Sequence, residues 1–284
     1  MKGKKKNTEE AYFFPTKISY QKLLLFKDQI LYIPKEDNNN KTIFIPCCLI
    51  KSKENSPNFI IMYHGNGEII LDYIDLGLEF NSKFNMNILI VEYKGYSCYL
   101  GEVDSDSILE DSLFIYDYIK KLFNIQDNNI YVFGRSMGTA PAVYLSSKRN
   151  PKSTILVSAF ESIKNIGKFF KEEEFEDIFK SIDSIQQVKN PILIIHGKKD
   201  PLILYKNSEN LYEKCSSQKK KLVLRENMTH NYFDYESDIL EQIELFFKEK
   251  NIEIDDRKNV INFDDEKSKQ LLEIPSELKS LDNF

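Results

Sequence analysis

The chain has 284 residues, 42% of them hydrophobic and 29% charged, with a net charge of −5. That length buries a sizeable core, and the mildly acidic balance argues against nucleic acid as a main partner. Four cysteines without a CxxC pair and three scattered histidines leave no zinc or iron–sulfur spacing, and no apolar run approaches the roughly 18 residues of a membrane-spanning helix.

The start, MKGKKKNTEE, is basic but lacks the apolar h-region of a signal peptide. Lys2 stands where myristoylation needs glycine. Together with the cysteine usage, this places the chain in a reducing cytosol. Residues 1–19 read as a solvated basic segment, of the kind an anionic membrane surface attracts. KEDNNNK (35–41) is a polar turn between two strand-like runs. KTIFIPCCLI and NFIIMY then read as strands, EIILDYIDLGLEFNSKF as a helix and NILIVEY as a short buried strand. DSILEDSLFIYDYIKKLF is a strong helix, with Ile108, Ile115, Ile119 and Leu122 on one face and a capping-box pattern of Ser107 with Glu110. NIYVFG, STILVSA, PILIIHG and KKLVLRE are further strands, and an amphipathic helix around Ile239, Ile243 and Phe246 closes the pattern. Strands without alternation, separated by helices, imply an α/β fold: a mostly parallel sheet covered on both faces, with antiparallel strands leading in at the N-terminal edge. The domain spans residues 20–250. Residues 251–284 turn polar and read as a tail, either partly packed or disordered, or as an interaction segment.

Chemistry concentrates in IYVFGRSMGTAPAVYL (130–145). A buried strand runs into Ser136, framed by Gly134 and Gly138, and then into helix formers. This is the G-x-S-x-G nucleophile-elbow pattern in the strand–turn–helix context it requires. A serine hydroxyl needs a histidine base, and that base needs an acid to orient it. His196 and His230 follow Ser136 in the chain. Asp200 lies just past the strand PILIIHG, and His230 lies in the loop after KKLVLRE. Ser136, Asp200 and His230 thus each follow a strand, at the sheet end where functional groups gather. Asp200 also suits a helix cap, as DPLI is a good helix start, and His196 reads as structural. The oxyanion donors expected are the backbone N–H of Met137 and, in the MYHGNGEII loop, that of Asn66. His64 reads as a brace for that loop. HGNG lacks the GKS or GKT of a phosphate loop, and neither cofactor nor metal is called for.

The stretches HGNG (64–67), EYKGYSCYLGE (92–102), GRSMGTAPAVYL (134–145), PILIIHGKKDPLI (191–203), NLYEKC (210–215) and MTHNYF (228–233) resemble the alpha/beta-hydrolase-domain serine hydrolases. The likeness is strongest to the small-lid group of subfamily-seventeen protein depalmitoylases and their lipase-like relatives. The resemblance implies an alpha/beta-hydrolase fold and a cytosolic or membrane-associated hydrolase of acyl esters or thioesters, acting on acylated protein or lipid. It makes Ser136 the nucleophile, Asp200 the acid and His230 the base. Those depalmitoylases carry an N-terminal cysteine cluster, whereas the first cysteine here is Cys47, inside a strand pattern. A monoacylglycerol lipase or carboxylesterase is the alternative within the class, and a non-catalytic scaffold of the same fold the alternative outside it. The lid position, 161–190, holds Ile166, Phe169, Phe170, Phe175, Ile178 and Phe179. These read either as a helix packing on the core or as an aromatic flap lining an acyl groove at a membrane. Cys98, near the site in sequence, reads as a spectator thiol or a redox liability.

Overall fold

Strands that are apolar at every position need cover on both faces, and the computed structural model supplies it. The structure describes residues 12–37, 39–166 and 176–283. Eight strands form one sheet: β1 (Ile30–Glu36), β2 (Thr42–Ile50), β3 (Phe59–Tyr63), β4 (Asn87–Val91), β5 (Ile130–Arg135), β6 (Ser153–Val157), β7 (Ile192–Gly197) and β8 (Lys220–Arg225). Their order is 1-2-4-3-5-6-7-8. β1 and β2 enter antiparallel and the rest run parallel, so the expected lead-in is present. Strands β3 to β7 are buried throughout. The two-residue strand period sends alternate side chains to opposite faces. Ile60, Met62, Ile90 and Phe133 meet Leu76 and Phe80 of α1 (Ile74–Phe84) on one face. Ile61, Tyr63, Val91 and Val132 meet Ile115 and Ile119 of α2 (Ser105–Phe123) and Val143 of α3 (Thr139–Lys148) on the other. Two later helices, α4 (Lys206–Lys214) and α5 (Glu241–Glu249), complete the two layers with Leu211 and Ile243.

α2 begins earlier than its capping-box pattern predicts. Asp104 is the N-cap, and its carboxylate accepts both the Ser107 N–H (2.7 Å) and the Ser107 hydroxyl (2.5 Å). An anion at a helix N-terminus also complements the helix dipole, so the acidic residue outcompetes the serine three positions on.

Both chain ends depart from a purely polar reading. Tyr12, Phe13 and Ile18 are buried, so residues 12–18 are partly packed rather than wholly solvated. Only these three are packed, since Phe14, Pro15, Thr16 and Lys17 between them are exposed. After α5, the backbone carbonyl of Asp255 accepts from Asn58 Nδ2 (2.6 Å). Ile261, Phe263 and Leu271 are buried in the α2 face of the core. The Phe263 ring lies 5.2 Å from Phe123 and 6.2 Å from Phe59. The Leu271 carbonyl takes the Tyr32 N–H (2.7 Å) and so covers part of the β1 edge. No described helix is long and apolar enough to cross a membrane. The packing of Phe263 is testable: Phe263→Ala is expected to cost about 3–5 kcal/mol, read as a lowered midpoint in urea unfolding with an unchanged slope.

Candidate active site

At the end of β5 the chain turns so tightly that side chains have no room. A Cβ on Gly134 would run into the Gly138 carbonyl, and one on Gly138 would run into the carbonyl of Tyr63 at the end of β3. Ser136, between them, sits at φ 52°, in the left-handed region, a strain of about 1–3 kcal/mol that the surrounding packing must hold. Thr139, opening α3, donates its hydroxyl to the Ser136 carbonyl (2.7 Å) and fixes the exit from the turn.

The turn brings together the three side chains singled out in sequence. Ser136 Oγ lies 3.0 Å from His230 Nε2, and His230 Nδ1 lies 2.8 Å from Asp200 Oδ2. Asp200 stands where the acid was expected, but the helix cap suggested by DPLI is not formed. Its Oδ2 meets the imidazole while its Oδ1 accepts the N–H groups of Leu202 (2.9 Å) and Ile203 (2.8 Å). That closes a turn rather than capping a helix, since α4 starts only at Lys206. Burial alone would raise the Asp200 pKa, but hydrogen bonds from His196 and His230 and the His230 charge outweigh it. The carboxyl is held well below the usual range. His196 is held by the Ser208 hydroxyl at Nδ1 (2.6 Å) and the Ile203 carbonyl at Nε2 (2.8 Å), and its Nε2 also lies 3.4 Å from Asp200 Oδ2. The loops that carry Asp200 and His230 pack directly on each other, because a Cβ on Gly197 would run into the Met228 carbonyl.

Asn66 and Met137 line the same cavity as Ser136, and no acceptor among the described residues takes the Asn66 N–H. His64 braces this loop, as its position suggests. Its Nδ1 faces the Gly65 carbonyl (2.9 Å) and its Nε2 faces Glu92 Oε1 (2.9 Å). Both partners are acceptors, which favours the protonated ring. Burial alone would lower its pKa, but Glu92 and the Gly65 carbonyl prevail and raise it.

Sequence reasoning missed a second tie. Arg135, buried beside Ser136, donates through Nη1 to Glu68 Oε1 (2.6 Å) and through Nη2 to the His230 carbonyl and Asn231 Oδ1 (both 2.8 Å). Glu68 Oε2 in turn accepts the Gly65 N–H (2.6 Å). One ion pair thereby joins the loop of Asn66 to the loop of His230. The available signal was a charged residue inside an otherwise apolar strand and turn, GRSMG.

The cavity at Ser136 has a volume of about 370 Å³, and its walls include Phe160, Ile163, Ile166, Leu202 and Ile203. Tyr12, Phe13 and Phe14 form another wall, a contribution hidden in sequence by the lysines before them. A more polar cavity of about 420 Å³, with Glu68, Asp72, Tyr73 and Arg135 in its walls, shares Asn66 with the first but is not lined by Ser136. Of the lid aromatics, Phe169, Phe170 and Phe175 lie outside the described residues. Ile178 and Phe179 are buried in the core. Cys98 is buried too, and burial pushes its thiol up to about 12, which argues against a reactive thiolate.

Residues 173–238 match the family model described as "Serine aminopeptidase, S33", a stretch holding Asp200 and His230 but not Ser136. The Homo sapiens protein named "Alpha/beta hydrolase domain-containing protein 17B" is 26% identical over 215 residues, 74% of this chain and 73% of that protein. The Xenopus laevis 17C protein is 28% identical over 208 residues, 72% of this chain and 65% of that protein. Among solved structures, a Pyrococcus furiosus esterase superposes with a TM-score of 0.63 at 18% identity, over 83% of this chain and 96% of its own. A Paleococcus ferrophilus monoacylglycerol lipase gives 0.53 at 15% identity, over 73% and 97%.

The His64–Glu92 pair carries a pH prediction. Its folded pKa lies above the unfolded value of 6.5. Its stabilisation is therefore complete below that value and is lost as pH rises through the raised pKa. The urea midpoint of His64→Gln is expected to fall furthest below wild type at about pH 6 and to converge on it as the pH rises.

Proposed function

We propose that this alpha/beta hydrolase is a serine hydrolase of acyl esters or thioesters, with Ser136 as nucleophile, His230 as general base and Asp200 as the acid. The observation that carries the reading is the hydrogen-bonded chain from Ser136 Oγ through His230 to Asp200, at 3.0 and 2.8 Å, with the serine at a strained turn. Asp200 at Nδ1 keeps the proton there, which leaves the Nε2 lone pair facing the hydroxyl. His230 takes the Ser136 proton as Oγ attacks the carbonyl carbon. The N–H groups of Asn66 and Met137 receive the developing oxyanion. Collapse expels the alcohol or thiol, which leaves with the proton from His230, and an acyl-enzyme remains. A water molecule then gives its proton to His230, adds to the acyl carbon and releases the carboxylic acid and free Ser136.

The apolar cavity beside Ser136 supports an acyl chain on the acid side of the bond. Phe14 and Leu202 line it yet stay exposed, an apolar rim suited to acylated proteins or lipids met at a membrane surface. A palmitoyl-protein thioesterase and a monoacylglycerol lipase both fit this arrangement, the latter being the printed name of one structural neighbour. An aminopeptidase would place a free amine on the acyl side, and no carboxylate among the described residues lines that cavity. A scaffold without activity would have no use for a strained serine within reach of an oriented imidazole.

A fluorophosphonate probe is expected to label wild type and not Ser136→Ala, and Asp200→Asn is expected to lower kcat on an acyl ester by about 10⁴. A folded wild type that takes no label would defeat the catalytic reading. Parallel assays with a palmitoyl-thioester peptide and a monoacylglycerol then separate the two substrate classes.

A further inference from the structure

We propose that residues Tyr12–Thr16 form a strap that binds the acyl chain of the substrate and sets which chain lengths are accepted. The proposal rests on the acyl-hydrolase reading and adds the component that chooses among acyl groups. Tyr12, Phe13 and Phe14 line the cavity that holds Ser136, although they lie more than a hundred residues away in sequence.

The strap is fixed at both ends. Asn66 Oδ1 accepts the Phe14 N–H (2.9 Å), and Asn66 Nδ2 donates to the Tyr12 carbonyl (2.7 Å). One amide thus grips the backbone on both sides of Phe13. The Tyr96 hydroxyl donates to Asn66 Oδ1 (2.6 Å) and holds that amide in place. Further along, Thr16 Oγ1 donates to the Gly67 carbonyl (3.0 Å), and the Thr16 carbonyl accepts the Ser97 N–H (2.6 Å). At the other end, the Tyr12 hydroxyl donates to the Glu176 carbonyl (3.1 Å), and the Phe13 ring meets Phe179 edge-on at 6.0 Å. A wall tied this closely cannot drift away from a ligand.

The chemistry of the wall names its occupant. Phe14, Phe160, Ile163 and Leu202 supply hydrocarbon surface and no charge. A linear hydrocarbon chain gains from leaving water there, at a near-constant increment per methylene. A polar acyl group would lose its water with no partner in return. Phe14 is 61% exposed, so its ring stands at the mouth of the cavity and does not build the core. The grip by Asn66 has a second consequence. The same residue offers its backbone N–H to the substrate oxygen in the proposed mechanism. An acyl chain that packs under the strap therefore bears on the residue that meets its carbonyl. Chain length is then read in the transition state as well as in binding.

The test is a p-nitrophenyl ester series from acetyl to dodecanoyl, with full-length wild type, Phe14→Ser and Phe14→Trp. Phe14→Ser is expected to lower the decanoyl-to-acetyl ratio of kcat/KM by about tenfold, the order expected when a few methylenes lose their apolar cover. Phe14→Trp is expected to move the preferred length towards shorter chains. Thermal melts check that both variants fold. Chain-length profiles parallel to wild type in both variants would overturn the strap and leave the hydrolase reading standing. A folded wild type that hydrolyses no ester of the series would overturn the hydrolase reading and the strap with it.

Discussion

Everything at the site depends on how closely the turn after β5 approaches the end of β3. The peptide at Gly138 lies against the Tyr63 carbonyl, with no space for one added carbon. That contact brings Ser136 and the Asn66 loop to the same cavity before any side chain acts. Polar ties then fix the orientation of what the contact has brought near. Arg135 and Glu68 link the Asn66 loop to the His230 loop, and His64 with Glu92 holds the start of the former. Each is buried or nearly so, and an ion pair in such a place must have its remaining donors and acceptors met to be worthwhile. Glu92 satisfies this by also accepting the N–H groups of Tyr93 (3.0 Å) and Ile70 (3.2 Å).

Asp200 shows how one carboxylate serves structure and chemistry together. Its two oxygens divide the work, one closing its own loop through two backbone N–H groups and the other facing His230. The arrangement costs little mobility, because the loop that presents the acid is held by the acid itself.

The sheet and most of its main helices were legible because buried parallel strands and amphipathic helices write their periods directly into the chain, whereas the short α4 (Lys206–Lys214) was not. The elbow was legible because steric exclusion leaves glycine as the only choice at 134 and 138. The meeting of Ser136, Asp200 and His230 was legible because each follows a strand, β5, β7 and β8, at the same end of the sheet. The strap and the tail were not legible, for a shared reason. Neither has a period. Phe263 is an isolated apolar residue among polar and acidic neighbours, and the Tyr12–Phe14 run is too short to show one. The Arg135–Glu68 tie was hidden differently, since its partners are distant in sequence and only the fold brings them together. The capping of α2 by Asp104 was a matter of competition between two plausible acceptors, which a pattern alone does not rank.

The hydrogen bond from Tyr32 to the Leu271 carbonyl joins the first strand of the sheet to a segment near the end of the chain. On the ribosome, that segment emerges long after β1 and β2 can pair. Until it does, part of the β1 edge offers its unpaired backbone groups to any other strand. Closing so long a loop costs entropy late in folding, after most of the core is in place. The nascent protein therefore passes through a stage in which the sheet is built but one border is open, and it is in that interval, rather than in the finished molecule, that this chain is most exposed to self-association.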